Sequence, residues 1–598
     1  MVNKSALTHC GDTLFSVSLD GCARLDVGRP FGLAILTGLI ASVVCASALA
    51  QQAPDAGSLL RQQVPEPVAR PRPPSPQSEP AAPPAPSDTS LLPEFSLEVK
   101  GFQLRGVTLL PLPELQTIVD VGVGQRMGLA QLQALGQRLA DEYQRRGFLA
   151  RVVLPPQDVT GGVVEFQVVE GRLAGVDLQP VDTPRLRREL VAALASGDLP
   201  AGAPVRPKAL ERVAQLLGDL PGVAASTTLV PGREPGELRL QVRYEDRPLL
   251  SGAVQLDNFG VQATGLNRVN AELNLNNPTG RGDQLSLTVL ASEGTRTARA
   301  QYTTSLGGSG LRGLVQASGL DYELGEPFKN VEGHGQARVW GLGLQYPLLR
   351  TQARNVIANL GWERRRLQNS ALGQQTDDRA LDVVTFGLAG DALDNLGDWG
   401  QLRWSLALVS GGVDLSANAA DLARDQAGPD RQGQFSKLTW AVGRQQQLGA
   451  KTEAFLQVSG QFASKNLDPG EKLGLGGPGG VRGYPALEAS GDSVAVLTAE
   501  LRYRLADSWR LGIFYDHGQV QLQRNPWTGW NGGNPGLPNR YELRGAGLNL
   551  VWSPPEQWSV RATLAFPLGE NPGRDASGND ADGRQSNLRG WLVATALF

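Results

Sequence analysis

From Pro248 to Phe598 the chain carries apolar residues at every second position in short runs, and glycine-rich turns separate the runs. In one such run Val269, Ala271, Leu273 and Leu275 alternate with Asn270, Glu272 and Asn274; after the turn 277–283, Leu285, Leu287 and Val289 continue the pattern. Similar alternations occur at Leu402, Trp404, Leu406 and Leu408, at Leu501, Tyr503 and Leu505, and at Leu548, Leu550 and Trp552. A period of two is the side-chain period of a strand, and no long helical period interrupts it, so more than half of the chain is committed to antiparallel sheet. The 73 glycines agree with a turn-rich chain. After residue 50 there is no run of 18 apolar residues, so a membrane role there requires strands closed into a barrel. Alternation alone does not separate a soluble sandwich, apolar inside, from a membrane barrel, apolar outside. Length decides: at roughly 10 residues per strand and about as many per connection, 248–598 holds about sixteen strands, too many for one sandwich and right for a channel-sized barrel. The final strand, Trp591 to Phe598, ends on an aromatic residue.

The first fifty residues read as an export signal. Arg24 and Arg29 precede the apolar stretch Phe31 to Val44, and Ala48-Leu49-Ala50 supplies a small-residue cleavage site. Ser42-Val43-Val44 before Cys45 does not form a lipobox, so Cys45 reads as part of the signal. Cleavage after Ala50 removes Cys10, Cys22 and Cys45, which are all 3 cysteines, and with them any thiolate metal site, Cys nucleophile or disulfide. His334 and His517 then remain, 183 positions apart, with no His-Glu-x-x-His, Gly-x-Ser-x-Gly or phosphate-binding loop. No catalytic, metal or cofactor site is expected, and a net charge of -3 disfavours nucleic acid as a partner.

Residues 64–93 are crowded with proline, as in Pro71-Arg72-Pro73-Pro74 and Pro83-Pro84-Ala85-Pro86, and read as an extended linker. Ahead of it, Asp55 to Gln63 has the length of two helical turns, too short to persist unless held, and is otherwise disordered. From Phe95 the pattern becomes mixed. Leu97, Val99, Phe102 and Leu104 read as strand, a helix starts near Pro113, and a second over Leu129 to Arg146 presents Leu132, Leu135, Leu139 and Tyr143 on one face before stopping at Gly147. Strands follow at Ala150–Leu154 and Val163–Val169. The order then repeats: a strand at Leu173–Leu178, a helix from Pro184 burying Leu186, Leu190 and Leu194, another burying Leu210, Val213, Leu217 and Leu220, and strands at Val223–Leu229 and Leu238–Tyr244. Two β-α-α-β-β modules with free sheet edges have the geometry to take an extended peptide as an added strand.

This order of segments resembles the outer-membrane transporter (TpsB) of two-partner secretion, the ShlB/FhaC/HecB haemolysin secretion/activation type of the Omp85 superfamily. The end of the first module is similar to the family's first POTRA domain at Tyr143-Gln144-Arg145-Arg146-Gly147-Phe148, Leu154-Pro155-Pro156-Gln157-Asp158 and Val168-Val169-Glu170-Gly171. The second is similar to POTRA 2 at Leu220-Pro221-Gly222-Val223 and Leu229-Val230-Pro231-Gly232. In the barrel, Val481-Arg482-Gly483-Tyr484 resembles the tip of the long loop that folds back into the lumen, and Phe514, Asp516 and Gly518 resemble the inward Phe-x-Asp-x-Gly wall strand. The resemblance implies that Arg482 pairs with Asp516, a reasonable partnership for a guanidinium in a narrow lumen. It also implies a pore-plugging helix in 51–63, with Leu59, Leu60 and Arg61 as its residues, and Phe598 as a C-terminal barrel-assembly signal. The domains are then a signal peptide (1–50), the plug segment (51–63), the linker (64–93), POTRA 1 (94–171), POTRA 2 (172–247) and a transmembrane β-barrel (248–598).

The function this implies is export of a large β-rich exoprotein of haemolysin, adhesin or toxin type across the outer membrane of a Gram-negative bacterium, with the POTRA domains in the periplasm and no enzymatic step. The POTRA pair would capture the exoprotein's secretion domain, and the plug and the loop bearing Arg482 would shift aside. Further expected partners are outer-membrane lipid and the barrel-assembly machinery during biogenesis; channel (porin) activity is expected too. An Omp85-type insertase of other barrels and a passive porin are the rival readings. The insertase shares the loop but differs in POTRA number and lacks a tethered plug, and the porin needs no periplasmic modules.

Overall fold

The computed structural model describes residues 53–62 and 96–598, apart from residues 533 and 556. The expected signal (1–50), the linker (64–93) and positions 51, 52 and 63 of the plug segment lie outside the described residues. A short helix, α1 (Ala56–Arg61), comes first.

In the first module, β2 (Gly101–Arg105), β5 (Val163–Glu170) and β4 (Ala150–Val153) form a sheet in the order β2-β5-β4, with β2 parallel to β5. Helices α2 (Leu112–Asp120) and α3 (Leu129–Arg145) bury Leu115, Val119, Leu132, Leu135, Leu139 and Tyr143 together with Phe102, Val164, Phe166 and Val168. One expectation needs correction. The run Leu97 to Leu104 is two strands: β1 (Ser96–Glu98) pairs with β3 (Arg126–Gly128) in a separate ribbon. The chain breaks at Val99, whose N–H donates to Gln125 O (3.0 Å) and whose carbonyl accepts from Gly124 N (2.7 Å), a kink that unbroken alternation conceals.

The second module repeats the topology: β6 (Arg172–Pro180), α4 (Arg188–Gly197), α5 (Pro207–Gly218), β7 (Val223–Pro231) and β8 (Glu237–Asp246), with sheet order β6-β8-β7. Helix α4 starts at Arg188, not Pro184. Residues 184–187 stay outside the helix, where Arg185 binds Asp246 of β8 and Arg187 reaches Thr279 O of the barrel turn, while Leu186, just before the cap, shares the core with Val191 in the manner of a hydrophobic staple.

The remaining strands, β9 (Leu250–Asp257) to β24 (Arg589–Leu597), make one closed barrel of sixteen in which successive strands pair antiparallel and β24 returns to β9. Side-chain direction separates membrane barrel from sandwich. In β10 (Arg268–Asn276) Val269 and Leu273 are 48% and 40% exposed, while Asn270 and Asn274 between them are 7% and 1% exposed. Leu287, Val289, Leu406, Leu408, Leu501, Leu505 and Leu548 face outward likewise. A closed sheet with its apolar face outside and its amides inside is stable in lipid, not in water. Trp509 and Trp552 stack obliquely at 6.2 Å near the rim on the side of the two modules, where aromatic rings suit the headgroup layer. Strand length departs from the roughly ten residues assumed: β14 (His334–Arg350), β15 (Arg354–Ala371) and β16 (Gln374–Asp394) have 17, 18 and 21 residues. Their outer ends carry outward-facing Arg338, Arg366 and Asp378, so mutual pairing continues beyond the lipid band.

Candidate functional site

Two segments of the chain occupy the lumen. The first is loop 464–492, between β19 (Thr452–Ala463) and β20 (Ser493–Ala506). Its tip is folded on itself, with Val481 N donating to Leu475 O (2.8 Å) and Tyr484 N to Val481 O (3.1 Å). Leu475, Val481 and Tyr484 are buried against Val494, Val496, Val520 and Leu543. Arg482 reaches β21 (Trp509–Gln521) as a fork: Nε lies 2.8 Å from Asp516 Oδ2 and Nη2 2.9 Å from Oδ1, while the Arg482 backbone N–H adds a third bond to Oδ2 at 3.1 Å. The guanidinium stacks 3.4 Å over the Phe514 ring, Glu500 stands 3.7 Å away, and the Trp591 indole donates to Arg482 O at 2.9 Å. Gly518 completes the seat. A Cβ there would lie 2.2 Å from Leu475 Cδ1 and 2.9 Å from Val481 Cγ2, so any side chain at this position displaces the loop. Glycine at 483 likewise rests on the backbone of Pro567.

The second segment is α1. Six residues do not hold a helix alone. Here Asp55 caps it, with Oδ1 accepting from Ser58 N (2.8 Å) and Ser58 Oγ accepting from Asp55 N (3.0 Å). Leu59 is buried with Leu320, Leu324, Leu367 and Leu381, and Leu60 packs half-buried on the same cluster. Arg61 donates to Glu471 O at 2.8 Å, and Ala56 N donates to Asn369 Oδ1 at 2.9 Å. Gly57 touches Gly470 of the loop so closely that a Cβ would lie 2.8 Å from Gly470 N. The helix and the loop are therefore in direct contact.

Polar residues that sequence reasoning missed surround this contact. Arg379, 2% exposed, hydrogen-bonds Asp55 and lies 3.0 Å from Asp468 and 3.3 Å from Asp377. Glu471 pairs with Arg365 and, at 2.6 Å, with Lys437. The capping pattern Asp55-x-x-Ser58 was a usable signal for the helix start; nothing in the order of residues connects Asp55 with Arg379, 324 positions away. Phe598 stands apart from the lumen. Its backbone N–H and carbonyl exchange bonds with Gly252 of β9 (3.1 and 2.9 Å), and its ring faces outward, 58% exposed.

Below the barrel, POTRA 2 is fastened to three successive turns. Arg187 N donates to Gly280 O (2.9 Å), Arg212 to Ser309 O (3.1 Å) and Pro347 O (2.8 Å), Arg350 grips Asp219 (2.6 and 2.7 Å), and Gln352 N donates to Glu211 (2.6 Å). POTRA 1 hangs from POTRA 2 through backbone bonds such as Leu149 N to Val205 O (3.1 Å) and Val205 N to Gly171 O (2.8 Å). In POTRA 1 two motifs meet: Tyr143 donates to Glu170 Oε1 (2.8 Å), as do Thr108 N (2.7 Å) and Leu109 N (2.8 Å). Burial raises the Glu170 carboxyl, but these bonds outweigh it and hold the group below the usual carboxylate range. Between α3 and the edge strand β4 runs a groove of about 500 Å³, lined by Gly136, Ala140, Val152 and Phe166 among others. The small residues on the helix leave room beside an unpaired strand edge, which suits an added strand.

Comparison with known proteins agrees with this architecture. Residues 97–171 match the family model described as POTRA domain, ShlB-type. The heme/hemopexin transporter protein HuxB of Haemophilus influenzae is 28% identical over 497 residues, covering 81% of this chain and 84% of that protein. The structure of CdiB from Escherichia coli superposes with a TM-score of 0.66 at 21% identity over 86% of this chain and 92% of that one, and CdiB from Acinetobacter baumannii with 0.60 at 18% over 96% and 100%. Residues 236–536 match the model described as haemolysin secretion/activation protein ShlB/FhaC/HecB, and the chain belongs to this family: outer-membrane transporters of two-partner secretion, whose POTRA domains lie in the periplasm and bind the exoprotein carried across.

Proposed function

We propose that transport by this chain is a gated, non-enzymatic passage in which α1 is the plug and loop 464–492 the inner gate. The observation that carries the reading is the junction at Arg379, where helix, loop and wall meet through side-chain bonds that are reversible in water. An exoprotein segment adds to the edge of β4 beside the POTRA 1 groove, passes to POTRA 2, and reaches a lumen that opens when α1 withdraws. Nucleotide hydrolysis and proton motive force do not operate at the outer membrane, so net movement comes from folding of the passenger outside. The outward apolar band is the lipid contact, and the strand ending at Phe598 is the segment read by the barrel-assembly machinery.

The test is export. The full chain is expressed with a neighbouring exoprotein candidate and the medium is assayed for it. Export that depends on this chain, and that falls in Arg482→Ala while the barrel still inserts, supports the gated transporter. A passenger retained in the periplasm, with other outer-membrane proteins falling on depletion, supports an insertase instead.

A further inference from the structure

The periplasmic mouth has two unlike halves. The bonds from POTRA 2 run to the turns that join β10 to β11 (Gln284–Ala291), β12 (Thr295–Ser305) to β13 (Arg312–Glu323), and β14 to β15. Among the described residues none runs to the turns diametrically across the barrel, which join β18 (Gly433–Gln447) to β19, β20 to β21, and β22 (Arg540–Trp552) to β23 (Trp558–Pro567).

On that uncovered half the lumen wall carries a row of cations. Leu501, Tyr503 and Leu505 of β20 and Trp509, Leu511 and Ile513 of β21 face outward, so Arg502, Arg504 and Arg510 between them face the lumen. Arg504 and Arg510 stand directly opposite each other across the two strands. Arg504 N donates to Lys451 O at 2.9 Å, which sets Lys451 next in the same row. With Arg502, Gln447, Glu453 and Asp507 these three line a recess of about 260 Å³. Arg502 is matched by Glu453 and Glu500, each at 3.0 Å, and stacks 4.7 Å over Phe455. Among the described residues Lys451, Arg504 and Arg510 have no carboxylate within 4.0 Å. Like charges placed directly opposite in a strand pair repel, and an entering anion relieves that repulsion.

We propose that Lys451, Arg504 and Arg510 form an anion-binding entry rim that takes carboxylate-rich segments of the unfolded exoprotein as they leave POTRA 2. The identity of the polypeptide rests on the export reading above; anion binding at the rim does not.

Two arms test it with the full-length protein. In planar bilayers across a potassium chloride gradient, the open wild-type channel favours chloride, and poly-glutamate added from the periplasmic side blocks it while poly-lysine does not. Combined K451Q, R504Q and R510Q moves the reversal potential toward zero and raises the half-blocking poly-glutamate concentration about tenfold or more; R504Q alone does the same to a smaller extent and serves if the triple variant inserts poorly. Unchanged selectivity and block overturn the proposal. A changed chloride preference with unchanged poly-glutamate block overturns the polypeptide site and leaves a small-anion site only. In the export arm, the triple variant slows a passenger with acidic leading segments but not one in which those acids are amidated to Asn and Gln; equal slowing of both overturns the rim's role. Absence of export by wild type as well overturns the export reading, while the bilayer arm still decides the rim.

Discussion

Arg482 and Arg379 both lie in the lumen, yet their surroundings differ in one respect that governs release. Arg482 belongs to the loop, and among the described residues the Asp516 carboxylate accepts hydrogen bonds from Arg482 alone. Arg379 belongs to the wall and faces three carboxylates from three places: Asp55 of α1, Asp468 of the loop and Asp377 of its own strand. Withdrawal of the loop tip strands a buried carboxylate, which costs several kcal/mol. Withdrawal of α1 leaves Arg379 with two partners still in place. A wall guanidinium with surplus carboxylates makes a releasable contact, a buried wall carboxylate with one guanidinium an anchor, so the arrangement favours departure of the helix before the loop.

The widest break in this comparison comes from Arg379→Met, which leaves Asp55, Asp468 and Asp377 buried without their cation, a change at the upper end of about 3–5 kcal/mol. Channels in planar bilayers should then be open most of the time, and a variant that stays closed like wild type would show that the junction does not retain α1. Arg482→Ala comes next. It should loosen the loop tip by about 3 kcal/mol and leave α1 in place, read as protease cleavage within 464–492 with the channel still largely closed. Asp55→Asn sharpens the contrast further, because asparagine caps a helix about as well as aspartate and only the ion pair is lost. The expected result is roughly tenfold more frequent opening, about 1.4 kcal/mol, with the loop protected as in wild type.

The smallest effect lies outside the lumen. Glu170 is held below the usual carboxylate range in folded POTRA 1, so its contribution is present above the unfolded value near 4.5 and is lost as pH falls through the lowered folded value. Protease resistance of POTRA 1 should therefore hold from neutral pH down to about 4.5 and fall below it, and this fall should be blunted in Glu170→Gln, which costs about 1–2 kcal/mol at neutral pH. Channel opening should be untouched by that substitution; a change there would mean that POTRA 1 and the lumen are coupled.

Legibility from sequence followed the range of the forces involved. Alternation revealed strands such as β10 and β20 because each strand carries its own inside and outside, and the heptad-like face of α3 was plain for the same reason. The kink at Val99 and the start of α4 were missed, since both are set by partners elsewhere, Gln125 in one case and the barrel turns in the other. The pairing of Arg482 with Asp516 entered through family resemblance and not through spacing. Arg379, Asp468 and Lys437 left no trace, because a barrel brings together residues from distant strands and no local period records which ones meet.

The attachment of POTRA 2 to three neighbouring turns has a mechanical consequence. Bracing at Gly280, Ser309 and Arg350 ties β10 to β15 to one stiff body, so those strands cannot splay separately. The barrel is thus a hoop clamped along one arc, and any increase in girth during passage of a chain falls to the strands of the opposite arc.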